Sequence, residues 1–437
     1  MSAAANPKVS VILVTYRQAA YVAKAIASLQ RQSYRDWELI VVDDVSPDDT
    51  VAAARAALSP RPSQAEDTGT LRDSQTRLVV HERNLGQYQT YNDALRLARG
   101  EYVMFGSGDD LCLPELLAAE AAALDRHPAA GLAFANVYLI DEADRILGDM
   151  AAPRLGALPW LASDCTLPAP KAQATLLRDN FIFCIGGVLL RRACLQAVGG
   201  WDESLPQAAD WDLWLRLAAC YDLAYVARPL LGWRQHRDTV TSRLRRSGQY
   251  YEDIIGVIEK AFASLPEGGE RLAGERERLL AEACLAEGCA DLAAERLERG
   301  KERLARAGAL GGTLLADPGR VAETLCRHGV SLLSPTAAPW QVAAYVERVV
   351  AALPTRPGWW PERRRGLLAR ALLAAAQHAR EAGQFGPAGR LARSAIMAEP
   401  GQMRRREALS LLLVTLPGGR TALSLYRRLR PRPVLAV

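Results

Sequence analysis

"ELIVVDD", residues Glu38–Asp44, is an apolar run closed by two adjacent acids. A strand with one wet face alternates apolar and polar residues, so an unbroken run predicts a strand buried on both faces. The pattern recurs on either side. "VSVILVTY" (Val9–Tyr16) precedes it, and "YVAKAIASLQRQ" between them places Val22, Ile26 and Leu29 at helical spacing. "RLVVHE" (Arg77–Glu82) reads as a third strand, "YNDALRLARG" as a helix closed by Gly100, and "EYVMFGSGDD" as a fourth strand. Buried strands alternating with helices predict an α/β fold, a mostly parallel sheet covered on both faces. Such sheets bind ligands beyond the carboxyl ends of their strands. Tyr16, Asp43, Asp44, Asp109 and Asp110 all fall at those ends.

Strand signals continue to about residue 240, with "GLAFANVYLIDEADRIL" read as a strand and hairpin and "ADWDLWLRLAACY" as a helix. Beyond Thr239 they nearly vanish. "GERERLLAEACLAEGCADLAAERLERGKERLARAG" and "RRGLLARALLAAAQHAREAGQFGPAGRLARSAIMAEP" read as helical hairpins, the second with tetratricopeptide-like punctuation. The expected division is an α/β domain over residues 1–241, with halves 1–110 and 111–241, then an all-α region over 242–437. Ser59–Gln75, rich in proline and polar residues, reads as a surface loop.

At 437 residues the chain is too long for one ordinary core, and 49% hydrophobic with 24% charged residues is a globular composition. A net charge of +5 does not argue for nucleic acid. Arginine is dense after about residue 240, and "MRRREALS" and "LYRRLRPRP" suit solvent, phosphates or an anionic membrane surface. The N-terminus carries no signal-peptide pattern and no stretch reaches the ~20 apolar residues of a bilayer span. The expected setting is therefore cytoplasmic, with peripheral contact at the inner membrane through the basic C-terminal region. Eight cysteines form no CxxC pair, and Cys184, Cys194 and Cys220 sit in apolar patterns, which predicts buried free thiols.

The two acidic strand ends carry the chemistry. In "VVDDVSPDDT", Ser46, Asp48 and Thr50 suit helix capping, while Asp44 is placed to accept hydrogen bonds from a base or ribose and Tyr16 to stack on that base. No glycine-rich fingerprint follows the first strand and no GxxxxGK[ST] occurs, which excludes a Rossmann dinucleotide site and a P-loop. In "FGSGDDLCLPE", Asp109 and Asp110 either form a solvated turn or hold a cation that carries phosphates. Gly106 and Gly108 would let the backbone approach a ligand.

Three segments together, "VSVILVTYR…YVAKAIASLQRQSYRDWELIVVDDVSPDDT", "ERNLGQYQTYNDALRLARGEYVMFGSGDDLCLPE" and "GGVLLRRACLQAVGGWDESLPQAADWDLWLRLA", resemble glycosyltransferase family 2 over about Val9 to Thr241. The resemblance implies a GT-A fold and an inverting, metal-dependent hexosyltransferase-type enzyme using a nucleotide diphosphate sugar donor and Mg²⁺ or Mn²⁺. By that resemblance Thr15, Tyr16 and Asp44 bind the nucleotide, Asp109 the donor, and Asp110 the metal. Asp210 matches the general base, and in "WRQH" Arg234 and His236 match groups reaching the diphosphate or metal. The chain departs from the family pattern at Ser107, where an acid is common, at Ala209, where glutamate is common, and at Arg17, where asparagine is common.

Single-displacement inversion needs a carboxylate on the acceptor side to take the hydroxyl proton, and such help is typically worth 10²–10⁴-fold. Asp210 precedes an amphipathic helix, so N-capping is its structural reading. Asp212 reads as a first-turn residue complementing the dipole, Trp201 and Trp211 as core or acceptor-stacking groups, and His81 as structural. The expected acceptor is a hydroxyl of a saccharide, glycolipid or glycan, in bacterial cell-envelope polysaccharide synthesis. Partners foreseen for the helical region are a second copy or another glycosyltransferase. Two other readings compete: a nucleotidyltransferase, which would release pyrophosphate, and a degenerate, non-catalytic domain serving a helical scaffold.

Overall fold

The computed structural model describes residues 6–59, 75–236, 249–264, 270–334, 336–354, 358–381, 384–401 and 435. The loop foreseen at Ser59–Gln75 and the basic runs after residue 401 lie largely outside these. The chain divides into two compact units, Met1–Thr239 with Arg432–Val437, and Val240–Pro431.

The first unit is built on one ten-stranded sheet. Its first half alternates β1 (Val9–Thr15), α1 (Val22–Gln30), β2 (Trp37–Asp43), α2 (Thr50–Leu58), β3 (Thr76–Val80), α3 (Gln87–Leu95) and β4 (Tyr102–Ser107). Every residue of β1 and β2 is buried, as their unbroken apolar runs require. The polar exceptions are satisfied internally: the Ser10 hydroxyl donates to Glu38, whose carboxylate also takes the Arg99 guanidinium at 2.6 Å.

The second half adds β5 (Leu111–Cys112), α4 (Leu116–Arg126), β6 (Ala130–Ile140), β7 (Ile146–Asp149), β8 (Cys165–Leu167), α5 (Ala169–Arg178), β9 (Val188–Arg191), α6 (Arg192–Ala197), α7 (Ala209–Cys220) and β10 (Asp222–Arg234). The strand order is β3-β2-β1-β4-β9-β6-β10-β5. β3, β2, β1 and β4 run parallel, as do β6 and β10, while β9 lies antiparallel between β4 and β6. The last strand of the unit, β10, runs for 13 residues, and its register slips around Pro229. Proline has no N–H to give the ladder, so a bulge there is its ordinary consequence.

Register sets the site. Thr15 pairs with Asp43 and Val14 with Ser107, so the loops after β1, β2 and β4 leave the sheet at one edge. Leu435 also packs on this unit, against Leu111 and Ile140, and its N–H donates to the Asp144 carbonyl at 2.9 Å.

The second unit is helical where described. Helices Glu270–Ala293 and Leu297–Leu310 pack closely at two glycines: a Cβ on Gly288 would lie 2.8 Å from Leu304, and one on Gly300 2.7 Å from Leu292. Buried Glu287 meets Arg299 and Arg303 at 2.8 Å. Helices Trp360–Glu381 and Phe385–Ala398 form the second pair. No described helix is long and apolar enough to cross a membrane. Among the thiols singled out, Cys194 is buried and Cys184 partly so, but Cys220 is exposed. It closes α7, just past the last buried residue of that helix, Ala218.

Candidate active site

The loops after β1 and β2 are both strained. Arg17 has φ +56° and Val45 φ +61°, and they lie together through the Arg17 N–H, which donates to Ser46 Oγ at 2.9 Å. A β-branched residue at positive φ is an outlier that survives only where its surroundings dictate it, and such strain gathers at functional sites. Composition alone gives no sign of it. Tyr16, between these loops, is partly exposed.

Thr15 and Asp44, both expected to touch the nucleotide, also build this edge. Thr15 is buried and its hydroxyl donates to Asp43 at 2.9 Å. Asp43 also accepts from the Ser46 N–H and hydroxyl. The Asp44 carboxylate, 2% exposed, accepts the Leu85 and Gly86 N–H groups at 2.8 Å each and faces His81 Nδ1 at 3.1 Å. Its oxygens hold the loop ahead of α3. A Cβ on Gly108 would stand 2.6 Å from both Thr15 Cγ2 and Gln18 Oε1, so this glycine lets β1 and β4 close on each other. Gln18, which sequence reading passed over, donates to Ser107 Oγ at 2.8 Å, and its Oε1 is buried without a hydrogen-bond partner.

The acidic pair divides its labour. Asp110 is 8% exposed. Its Oδ1 accepts the Arg234 backbone N–H at 3.0 Å, and its Oδ2 faces the Cys184 thiol at 3.6 Å. Burial, reinforced by the adjacent Asp109 charge, pushes its carboxyl well above the usual range. Asp109 points elsewhere, its Oδ2 lying 3.0 Å from His236 Nε2, with both side chains partly exposed. Of the two acids, Asp109 is the one that stands beside a second metal-binding group, the His236 imidazole, while Asp110 is turned toward the Arg234 backbone and Cys184.

Arg234 is held on every side by the protein. Its side chain is fully buried. Nε donates to the Asp109 carbonyl at 2.7 Å, Nη1 to the Asp141 carbonyl at 2.7 Å, and Nη2 pairs with Asp144 at 2.6 Å. The fork foreseen on a diphosphate is filled by the protein itself. Tyr21 completes the cluster, its ring 4.8 Å from the guanidinium and 5.4 Å from the His236 ring.

Asp210 lies in the first turn of α7. The N-cap is Ala208, and the Asp210 carboxylate accepts from the Trp211 N–H at 2.7 Å, so its structural reading shifts from capping to a local turn. Burial raises its carboxyl from the ordinary 3.8 to about 6. Asp212 is buried and paired with Arg216 at 2.7 Å, which in turn holds the Val198 and Gly200 carbonyls. Both tryptophans are core. Trp201 packs among Tyr88, Tyr91, Phe105 and Trp214, and Trp211 Nε1 donates to the Leu176 carbonyl. His81 keeps its structural reading through Asp44.

Residues 10–198 match the family model Glycosyl transferase family 2. Asp210, Arg234 and His236 lie beyond that stretch, so their roles rest on geometry. The chain is 28% identical over 213 residues to the putative glycosyltransferase EpsE of Bacillus subtilis, covering 48% of this chain and 66% of that protein. It is 28% identical over 260 residues to the succinoglycan biosynthesis protein ExoO of Rhizobium meliloti, covering 59% of this chain and 68% of that one. Among solved structures, the mannosyltransferase PcManGT of Pyrobaculum calidifontis, in complex with GDP-Man and Mn²⁺, aligns at TM-score 0.47 and 20% identity over 86% of this chain and 88% of that chain. That likeness is too loose to bear on the site. The relatives agree with the family match, and the acids at the ends of β2 and β4 lie within it: residues 10–198 of this chain match glycosyltransferase family 2.

Proposed function

We propose that the N-terminal unit transfers a sugar, with inversion, from a nucleoside diphosphate sugar to a hydroxyl of a saccharide, glycolipid or glycan. The observation that carries this reading is the pairing of Asp109 with His236 at 3.0 Å beyond the end of β4, with the carboxyl of Asp110 behind it. A carboxylate oxygen and an imidazole nitrogen at one point are a donor set for Mg²⁺ or Mn²⁺. No three His, Cys, Asp or Glu side chains among the described residues are grouped to hold a metal alone. This suits a cation that takes its remaining ligands from donor phosphates. When bound, such an ion supplies Lewis-acid stabilisation of the departing nucleoside diphosphate.

The chain's own residues do the rest. Tyr16 offers its ring to the base beside the strained loops. Asp110 and Arg234 fix the backbone that aims Asp109. Asp210 takes the acceptor proton: a carboxyl held near 6 is mostly ionised at neutral pH yet basic enough to receive it. The named role of ExoO in succinoglycan biosynthesis favours a polysaccharide product. Incubation with UDP- and GDP-sugars and Mn²⁺ tests the reading. Slow donor hydrolysis releasing nucleoside diphosphate, lost in Asp109→Asn, is expected. Release of pyrophosphate, or no turnover and no metal-dependent nucleotide binding, would overturn it in favour of a nucleotidyltransferase or a degenerate domain.

A further inference from the structure

The hairpin between β6 and β7 carries a carboxylate that the proposed chemistry does not use. In "DEADR", Asp141 organises the turn: its carboxylate accepts the Ala143 and Arg145 N–H groups and pairs with the Arg145 side chain. This turn sets Asp144 at φ +63°, a conformation that asparagine or glycine adopts more readily. From this turn the Asp144 carboxylate meets two cations. Lys24 of α1 reaches it at 2.6 Å from a largely exposed position, and the fully buried Arg234 reaches it at 2.6 Å. Burial opposes its charge, but these two cations hold its carboxyl below the usual range.

From Arg234 the contacts run straight to the proposed metal donors. The guanidinium holds the Asp109 carbonyl at 2.7 Å and lies over Tyr21, which stacks toward His236. The Arg234 N–H fixes Asp110. A buried guanidinium without its carboxylate is expelled or draws in water. Either change would loosen the Asp109 carbonyl and the Tyr21 shelf together. From this juxtaposition we propose that Asp144 is a positioning residue: through Arg234 it holds Asp109 and His236 in the spacing that binds a divalent cation with a nucleoside diphosphate. The inference rests on the cation site of the proposed function and extends it to the hairpin.

Mn²⁺ binding in the presence of UDP or GDP, read by electron paramagnetic resonance on the full chain, tests it without turnover. Asp144→Asn, which tolerates the positive φ, is expected to weaken Mn²⁺ binding at least tenfold, while Asp144→Glu stays within about threefold of the parent. Binding by folded Asp144→Asn equal to the parent overturns the inference. Failure of the parent itself to bind Mn²⁺ with either nucleotide would instead overturn the proposed cation site. Should Asp144→Asn not fold, the Arg234→Met background decides. There the buried cation is gone, so adding Asp144→Asn should cost no further Mn²⁺ affinity, and a further loss overturns the relay through Arg234.

Discussion

Replacing Asp210 by asparagine should remove transfer and at the same time stabilise the protein. The carboxyl rises from 3.8 to about 6 because its surroundings disfavour the charge. Its folded value lies above the unfolded one, so the native state binds the extra proton. The contribution of this one group to stability is therefore most favourable below about pH 4, falls between about pH 4 and 6, and is flat above. At ~1.4 kcal/mol per unit the ceiling of this penalty is about 3 kcal/mol, and partial exposure of the residue reduces it to about 1–2. Asp210→Asn abolishes the ionisation, so urea unfolding at pH 7.5 should show it more stable than the parent by that amount. The rate should move the other way. With a base titrating near 6, the ionised fraction falls about tenfold between pH 7 and 5, giving an acidic limb of unit slope in kcat/KM. The variant should lose about 10²–10⁴-fold in nucleoside diphosphate release to acceptor while donor affinity holds. Full turnover by Asp210→Asn, or an acidic limb unchanged in the variant, would refute the assignment.

Two other substitutions probe the scaffold. Glu120, on α4, is fully buried, with neither oxygen well hydrogen-bonded although the Ala135 backbone lies near, and burial pushes its carboxyl well up. Glu120→Met should stabilise the unit by about 1–2 kcal/mol at pH 7, with the gain growing from acid to neutral pH, as denaturant titrations at several pH values would show. Gly108→Ala places a methyl 2.6 Å from Thr15 Cγ2 and Gln18 Oε1. The strand ends must part, so the expected result is a loss of about 1–3 kcal/mol and weaker nucleotide binding by calorimetry, and an unchanged melting temperature would contradict this packing role.

The parallel half of the sheet was legible because β1, β2 and β4 are buried on both faces and write that burial as unbroken apolar runs. The position of β9 was not. Val188–Arg191 reads as a strand, but nothing in its four residues says that it runs antiparallel between β4 and β6. The acidic ends were legible as a site, since paired carboxylates at strand ends need an explanation. Which of them faces outward was not, because orientation depends on partners far along the chain. Asp110 turns inward to the N–H of Arg234, and Asp44 is held by Leu85 and Gly86. Arg234 looked like a phosphate contact, yet its charge is met by Asp144 in a hairpin ninety residues earlier. Gln18 and Tyr21 carry no motif of their own, and only folding brings them to the site.

The proposed chemistry requires Asp109 and His236 to share one cation with a nucleoside diphosphate. Crystals grown with Mn²⁺ and UDP or GDP, measured at the manganese absorption edge, test it directly. The expected result is one anomalous peak between Asp109 Oδ2 and His236 Nε2, with phosphate density beside it and none at Asp110. A peak bound through Asp110 alone, or nucleotide bound with no manganese between these two side chains, would contradict it.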